Sequence, residues 1–511
     1  MSEPPVAPSY GELATLVAAQ AQRLAVQDGL IESLRAEVDS LRVEVAALRR
    51  QLGRDSSNSS QPPSQDGPGA RGKAKADKRS GRSQQGPKRG QGGQPGHRGS
   101  GLERVAVPDR VVALEPAACR CCGAGLVGAP GRIGASVQVF DLPTITLQVT
   151  EYQLMRRVCS CGRATTAAAP PGIRGGPACY GPNVTAAATL LASTDVIGIE
   201  RTADLMSALL GVQVSTGFVS SCLVRLDDAL DAAGFEDAVK AALRAADVLG
   251  TDETPARLTD AATGQPGCHN PHVYTVRTMG AYTGGGPDLV WYGAAGDRTK
   301  TSISSFGLLE EFGGVLVRDD YGGYTSYDTD LAGVQQCLAH ALRYLDDAHT
   351  IDPKTQGWAA QVADALREAI HAVNTARDQG RTSLHPRLLT RLRDTYDTGV
   401  AVGISTNTSR RWHKGNHPGL VLARRLRRKA DQIWLFATRF DVPATNNGSE
   451  SAIRGYKIAA RVSGCWRTLA TLQRHCRIRT YLVSARNYGQ RAVDAITDAL
   501  TGSTWMPPTP A

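Results

Sequence analysis

The stretch 247-DVLGTDETPARL-258 decides the fold, because an aspartate stands inside a run that otherwise has the composition of a buried strand. Two further runs, PHVYTVRT at 271–278 and DLVWYGAAG at 288–296, predict strands joined by the turn TGGGP. A helix is predicted over 300–311, then the strand GGVLVRDDYGGY from Gly313, and then GVQQCLAHALRYL, a short strand running into a helix. This order of elements predicts an α/β ribonuclease H-like core.

Carboxylates close to strand ends are the first candidate functional residues. Asp252 lies within the first predicted strand, where an aspartate costs free energy unless it is paired or bound to metal. Asp319 falls on the inward face of the fourth strand by alternation, whereas Asp320 shares a face with Arg318 and can pair with it. The pattern favours Asp252 and Asp319 as a metal-binding pair, although each can instead be a strand-end turn residue.

A third acid is expected in 446-NNGSESAIRGYK-457, which has the pattern of a helix start. Asn447 is a suitable N-cap, and Glu450 stands three residues later, where a capping-box glutamate belongs. Arg454 and Lys457 follow on the same helix face as Glu450. We interpret Asn447 as the cap and Glu450 as a metal ligand, with the side chains of Arg454 and Lys457 beside a phosphate that the metals hold. The alternative is that Glu450 only forms an intrahelical ion pair with Arg454.

Such an acid cluster suits a hard divalent cation. Mg²⁺ prefers a few carboxylates and keeps waters that give way to phosphate oxygens. Two ions roughly 3.5–4 Å apart can activate water or a 3′-hydroxyl and stabilise the leaving oxygen.

Composition narrows the class of protein. The 511 residues carry a net charge of +10 and a pI near 9.1, which favours a polyanionic partner such as nucleic acid. No secretory signal pattern and no long apolar run are visible, so no membrane span is expected. Eleven cysteines in such a chain indicate a cytosolic protein with metal-bound and free thiols.

A heptad pattern occupies residues 12–52 and predicts a coiled coil through which the chain forms a homo-oligomer. Gln20 and Gln27 fall at seam positions and weaken its first half, and the alternative is a helix packed on its own domain. The apolar seam consists of Leu13, Val17, Leu24, Ile31, Leu34, Val38, Leu41, Val45, Leu48 and Leu52.

The segment 54–104 is predicted to be a disordered linker, because it is rich in Gly, Ser, Pro, Gln and basic residues and almost free of apolar ones. Between Arg71 and Arg98 it carries nine Lys and Arg against one acid, Asp77. Such an arm either binds phosphate backbone without reading sequence or is a solvated spacer.

Two cysteine pairs predict a structural zinc site. Cys119 and Cys122 precede one glycine, and Cys159 and Cys161 precede another, with a strand-rich segment expected between the pairs. A glycine after each pair permits a tight knuckle. Cys121 is a spare that can replace Cys122, and the alternative is unliganded thiols.

Helices are predicted over 183–230, with Gly211 ending one and Ser215 capping the next. This pattern is typical of a helix-turn-helix, although many helical hairpins that bind nothing share it.

Further along, the basic run from Arg410 to Gln432 predicts a helix that binds DNA or, alternatively, a solvated helix face. The candidate DNA contacts in this run are Arg424, Arg425, Arg427, Arg428 and Lys429.

Taken in order, these motifs resemble those of DDE transposases of the insertion-sequence sixty-six family. Near the N-terminus the matching segments are Asn58–Ser64 (NSSxPPS) and Gly92–His97 (GGQPGH). The core matches are 252–254 (DET), 319–324 (DGYxxY), 337–343 (CxAHxxR), 446–457 (NNxxExxIRxxK) and 461–467 (KVSGxxR). The chain departs from the pattern at Asp320, which stands where the family has glycine.

The resemblance implies that Asp252, Asp319 and Glu450 are the catalytic triad and bind Mg²⁺ or Mn²⁺. It favours Asp319 over Asp320, which stays a possible accessory residue. His340 also matches a motif, and it either positions a carboxylate or DNA phosphate or is a core histidine. The resemblance further implies a helical insertion before the third acid and a bacterial, cytoplasmic, nucleoid-associated protein. The expected DNA-binding residues are Arg424, Arg425, Arg427, Arg428, Arg454, Lys457 and Arg461.

The expected function is a DNA transposase that binds the terminal inverted repeats of its element, cuts a strand and joins it to target DNA. The alternatives are a DNA-binding regulator with an inactive nuclease-like core and a nuclease that never joins. The expected organisation is a coiled coil (10–53), a basic linker (54–104), a zinc-binding segment (105–172), a helical DNA-binding domain (178–240), a catalytic core (245–345 and 441–490), a helical insertion (346–440) and a C-terminal tail (491–511).

Overall fold

The computed structural model describes residues 10–52, 103–143, 145–174, 176–259, 270–410, 412 and 415–509. The chain divides into two compact units: residues 67–150 with Leu209–Gly211 form one, and the rest of the chain forms the other. Nearly all of the predicted linker, including both N-terminal motifs, lies outside the described residues.

A single long helix opens the described chain. Helix α1 spans Tyr10–Leu52, which confirms the predicted helix. From Leu13 to Val45 its apolar seam is 45% to 65% exposed. An exposed apolar stripe of this length is typical of a helix that buries it against another helix, and the coiled coil itself stays a prediction.

The region between the two cysteine pairs differs from the prediction. In the described residues from 126 to 155 no strand forms; the strands β1 (Arg156–Val158) and β2 (Ala164–Thr166) pair antiparallel after it. Val137, Val139 and Val149 are each more than 80% exposed. The predicted strand-rich segment is therefore wrong for most of its length, because alternation alone makes no strand where no partner strand or apolar layer is present.

Four helices precede the central sheet. Their bounds are α2 Pro182–Ser193, α3 Ile199–Leu210, α4 Thr216–Ala232 and α5 Phe235–Arg244. The Ser215 side chain accepts a hydrogen bond of 3.1 Å from the Phe218 backbone N–H, which confirms the predicted cap of α4. Gly211, after α3, has φ +69°, a conformation that favours glycine.

Five strands build the central sheet in the spatial order β5-β4-β3-β6-β7. Strands β3, β4 and β5 are antiparallel neighbours, whereas β6 runs parallel to β3, and β7 runs parallel to β6. All five form where the sequence predicts them. Their bounds are β3 Val248–Pro255, β4 His272–Thr278, β5 Val290–Ala295, β6 Val315–Arg318 and β7 Gly333–Gln336.

Both faces of the sheet are covered. Leu249 and Leu316 pack on one face with α4 and α5, whereas Val248 and Val317 point to the other. The helix predicted over 300–311 is shorter than expected: α6 spans Lys300–Ser304, and Gly307 turns the chain with φ +62°.

After β7 the chain enters the predicted helical insertion, which has an apolar core of its own around Trp358, Tyr396 and Trp434. Helix α7 leads into it, and three helices after the insertion return to the sheet; the last lies in the predicted C-terminal tail. The bounds are α7 Leu338–Ile351, α8 Gly357–Asp378, α9 Pro386–Thr408, α10 Pro418–Arg428, α11 Ala430–Thr438, α12 Asn447–Ser463, α13 Leu469–Asn487 and α14 Ala492–Leu500.

Among the described helices, none combines the length and the apolar character needed to cross a bilayer.

Candidate active site

The parallel pairing of β3 with β6 brings two predicted acids to the same edge of the sheet, meaning the end toward which these two parallel strands run. Gly250 lies opposite Val317 in this pairing. Asp252 and Asp319 each follow two residues later, so both continue the same face of the sheet beyond the paired residues. Burial first, and then the charges of Glu253, Glu450 and Asp319, raise the pKa of the Asp252 carboxyl to about 7, against an opposing effect of Lys457.

The third acid reaches this edge because α12 begins directly above β3. Gly250 has no side chain, and a Cβ atom there would lie 2.6 Å from Ser449 Oγ and 3.0 Å from Asn446 Oδ1. Asn446 Nδ2 donates a 2.6 Å hydrogen bond to the Thr251 carbonyl, which fixes the start of α12 against the strand. Glu450 therefore lies in the first turns of a helix held against β3.

The predicted cap of this helix is wrong. The helix begins at Asn447, so the cap position belongs to Asn446, whose side chain makes no capping hydrogen bond. Asn446 is bonded to β3 instead, because anchoring the helix to the sheet uses the amide that would otherwise cap it. Glu450 stands one residue beyond the capping-box position, and its carboxylate is left for other contacts.

Asp319 and Asp320 point to different environments. Asp319 Oδ1 accepts a 3.0 Å hydrogen bond from the Tyr321 backbone N–H, which turns the chain after β6. Asp320 forms ion pairs with Lys429 and Arg425, so two cations of the helical insertion neutralise its charge. This arrangement agrees with the alternation argument that favours Asp319.

The pair expected between Arg318 and Asp320 does not form. The Arg318 side chain is fully buried, and its Nη2 donates hydrogen bonds of 2.7 and 2.9 Å to the two carboxylate oxygens of Asp328. Asp320 pairs with Lys429 and Arg425 of the insertion instead, because these cations are brought next to it by the fold.

Glu253 is an acid of the site to which the sequence analysis assigned no role. Its side chain is 2% exposed, pairs with Arg298 and accepts a 2.5 Å hydrogen bond from the Tyr324 hydroxyl. Burial and the charge of Asp319 raise the pKa of Glu253, whereas Tyr324 and Arg298 lower it. The available signal was its position next to Asp252 on the same predicted strand.

His340 lies on the other side of Glu450. Its Nε2 is 3.7 Å from Glu450 Oε1, and one ligand atom each from Cys337, His340 and Glu450 lies within 4.8 Å of the others. Among the described residues, this is the one group of three His, Cys, Asp or Glu with that spacing. The carboxylates of Asp252, Asp319 and Glu450 do not form such a group among the described residues.

The acids of this edge fit hard divalent cations. Carboxylate oxygens are the ligands that Mg²⁺ and Mn²⁺ prefer, and the raised pKa of Asp252 reflects its burial and then repulsion from the neighbouring carboxylates, which a bound cation would relieve. Glu450 Oε1 is buried and has no hydrogen-bond partner among the described residues. Such an atom is suited to a cation.

Each cysteine pair forms a tight local turn. Gly123 donates to the Cys119 carbonyl and Gly162 to the Cys159 carbonyl, both at 2.9 Å, and both glycines have positive φ. Hydrogen bonds from Cys122 and Cys121 lower the pKa of the Cys119 thiol, and bonds from Cys161 and Ser160 lower that of Cys159. Within each turn, backbone N–H groups first and then neighbouring side chains thus favour the thiolate, the form that binds zinc.

The candidate DNA-binding residues fall into two groups. Arg424, Arg427 and Arg428 on α10 are exposed, as is Arg454 on α12, whereas Lys457 and Arg461 are half-buried. Arg425 pairs with Asp320 and stacks over the Tyr344 ring at 4.6 Å.

Helix α4 of the predicted helix-turn-helix region makes charged contacts with its surroundings. The cation of Arg225 on α4 lies 5.5 Å from the centre of the Phe218 ring. On the same helix, Asp227 accepts ion pairs from Arg474 and Arg477 of α13. The ion pairs of Asp227 hold α4 against α13, and a DNA-binding role of this region stays a prediction.

Comparison with known families places the chain. A model described as Transposase IS66 family matches residues 177–474, more than half of the chain and all three predicted catalytic acids. A family of unknown function (DUF6444) matches residues 6–103. A search of curated proteins returned no match. The chain therefore belongs to the IS66 transposase family.

Proposed function

We propose that this transposase cuts and joins DNA through a DDE site composed of Asp252, Asp319 and Glu450. One observation carries the proposal: three acids distant in sequence share one edge of the sheet, close enough for Asp319 and Glu450 to raise the pKa of Asp252. The sheet order, with β3 central, antiparallel β4 and β5 on one side and parallel β6 and β7 on the other, supports a ribonuclease H-like core.

The three acids would hold two Mg²⁺ or Mn²⁺ ions, which when bound supply Lewis-acid activation and neutralise charge at the scissile phosphate. Asp252 and Asp319 are suited to one ion because they continue neighbouring parallel strands. Glu450 adds a third carboxylate to this set, and its charge raises the pKa of Asp252. Mutual repulsion of the acids favours cation binding.

The chain's other residues position these acids. Arg298 and Tyr324 hold Glu253, which fixes the end of β3 beside Asp252. Lys457 lies close enough to lower the pKa of Asp252 and is suited to a phosphate oxygen of bound DNA. An in-line attack of water at phosphorus then frees a 3′-hydroxyl, and that hydroxyl attacks target DNA, so no covalent protein intermediate is required.

DNA binding would use the exposed arginines. Those of α10, together with Arg454 on α12, offer guanidinium groups for phosphate contacts without sequence readout. We assign Arg425 a structural role through Asp320 rather than a primary DNA contact. Recognition of the element's terminal repeats is assigned to the N-terminal modules.

The N-terminal modules would assemble the complex. Helix α1 exposes its apolar seam, which supports a parallel or antiparallel coiled coil between copies of the chain. Each knuckle turn offers its own pair of cysteines, Cys119 with Cys122 and Cys159 with Cys161, to the structural Zn²⁺ that the sequence predicts.

Strand cleavage and strand transfer test the proposal. The full chain is incubated with labelled duplex carrying the element's ends, a target plasmid and Mg²⁺, beside Asp252→Ala and Glu450→Ala. Asp378→Ala is the matched control, because Asp378 is an exposed acid at the end of α8, outside the site. We expect nicking and joining by the parent and by the control, and loss of both reactions in the two site variants.

Other outcomes would contradict the proposal in different ways. Absence of nicking by the parent would refute the enzyme and favour a regulatory DNA-binding protein. Nicking without joining would indicate a nuclease. Nicking that survives Glu450→Ala would remove Glu450 from the catalytic set.

A further inference from the structure

A cluster of unlike donors lies beside the carboxylate edge. Cys337 caps the start of α7, His340 lies in its first turn, and Glu450 faces them from α12. One ligand atom from each of the three lies within 4.8 Å of the other two. Sulfur, nitrogen and oxygen thus meet at the junction of two helices.

Two atoms of this cluster are buried without a hydrogen-bond partner among the described residues: His340 Nδ1 and Glu450 Oε1. The contact from Glu450 Oε1 to His340 Nε2 is 3.7 Å, too long for a hydrogen bond. Ligands held at about 2.0–2.3 Å by one tetrahedral ion lie roughly 3.3–3.8 Å apart. The observed separation therefore suits two ligands of one cation.

The sulfur atom is fixed in place. Cys337 is 2% exposed, and its Sγ accepts a 3.2 Å hydrogen bond from the Asn446 backbone N–H. Asn446 also anchors the start of α12 to β3. The elements that position Glu450 therefore position the thiol as well, so the three donors form a preorganised site.

We propose that Cys337, His340 and Glu450 form a binding site for one borderline-soft divalent cation of the zinc class. Mixed thiolate, imidazole and carboxylate donors select such ions over Mg²⁺. Three protein ligands leave a coordination position open, unlike the four-thiolate site assigned to the N-terminal cysteines. The site shares Glu450 with the proposed function and would hold that carboxylate against α7.

Cobalt binding to the full chain tests this site, because Co²⁺ replaces Zn²⁺ and a cobalt–thiolate bond gives a charge-transfer band in the near ultraviolet. The parent, Cys337→Ser and His340→Ala are titrated under reducing conditions. The N-terminal cysteines contribute equally to all three proteins. We expect the parent to bind one more equivalent of Co²⁺ than either variant, with a stronger charge-transfer band than Cys337→Ser.

Two controls separate this site from other causes. Cys222→Ser removes an equally buried thiol elsewhere and should bind as the parent does. Asp252→Asn should abolish strand cleavage but keep the additional equivalent of bound cobalt. This variant therefore distinguishes a failure of the proposed catalysis from a failure of the cobalt site. Circular dichroism confirms that His340→Ala folds, since that side chain is 28% exposed.

Equal cobalt stoichiometry and spectra in the parent, Cys337→Ser and His340→Ala would overturn the site and leave an ion pair between His340 and Glu450. Loss of the additional equivalent in Asp252→Asn would also overturn it, because the cation would then belong to the catalytic carboxylates.

Discussion

Replacing Asp252 with asparagine should stabilise the chain when no divalent cation is present. Burial is the main cause that raises the pKa of this carboxyl to about 7, and the charges of Glu253, Glu450 and Asp319 add to it. Ionised Asp252 therefore costs folding free energy, and asparagine, which resembles the protonated carboxyl in shape, avoids that cost.

The magnitude follows from the shift. A change from 3.8 to about 7 corresponds to about 4 kcal/mol at about 1.36 kcal/mol per pKa unit. Because the folded pKa is the higher one, the folded state binds more protons between these values, and stability falls as pH rises through that window. The advantage of Asp252→Asn should thus be near zero below about pH 4 and complete above about pH 7.

Urea unfolding followed by tryptophan fluorescence measures the effect, since all six tryptophans lie between Trp291 and Trp505. The parent, Asp252→Asn and the exposed-acid control Asp228→Asn are compared from about pH 5 to about pH 8. Added Mg²⁺ should stabilise the parent and leave Asp252→Asn nearly unchanged. Parallel stability of the parent and Asp252→Asn across this range would refute the argument that Asp252 ionises against burial and neighbouring charge.

Three further perturbations test the surroundings of the site. Gly250→Ala would place a Cβ atom 2.6 Å from Ser449 Oγ, so we expect the free energy of unfolding to fall by about 1–3 kcal/mol and strand cleavage to weaken. Gly217→Ala is the control, because a Cβ atom there would meet no atom closer than 3.8 Å. Equal effects of the two substitutions would contradict the packing argument. Tyr324→Phe removes the hydroxyl that donates a hydrogen bond to the Glu253 carboxylate, so the free energy of unfolding should fall by about 1.5–3 kcal/mol near pH 8 and by less in acid. A loss that does not depend on pH would exclude this hydrogen bond as its cause. Asp320→Asn removes the partner of Arg425 and Lys429, which could then contact DNA phosphates. The slope of log affinity for DNA against log salt concentration should become steeper by about 1–2. An unchanged slope would place this surface away from DNA.

Local pattern predicted much of the sheet and the family. The five strands form where alternation and apolar runs place them, and Ser215 caps α4 as its position predicts. These features depend on residues close together in the chain, so the sequence contains their cause. Alternation also predicts a shared face for Asp252 and Asp319, because strand side chains alternate with a period of two, and this shared face stays a prediction.

Prediction from the sequence failed where the outcome depended on distant partners. The segment from Val137 to Met155 alternates like a strand, yet its described residues form none, and Val137, Val139 and Val149 stay exposed. Asn447 is a suitable cap by type, yet the chain begins α12 with Asn446 bonded to β3. Asp320 pairs with Lys429 and Arg425 because the insertion folds back onto the sheet edge, which no local pattern contains.

The sequence by itself determined where the five strands form, the acids available for chemistry and the family motifs, because each is set by residue type and short spacing. Only the tertiary structure decided which of those residues meet. It brought Glu450 above β3 through the missing side chain of Gly250 and placed His340 and Cys337 against the same carboxylate. Contacts between residues so far apart depend on how helices pack on the sheet, and packing is a property of the whole fold.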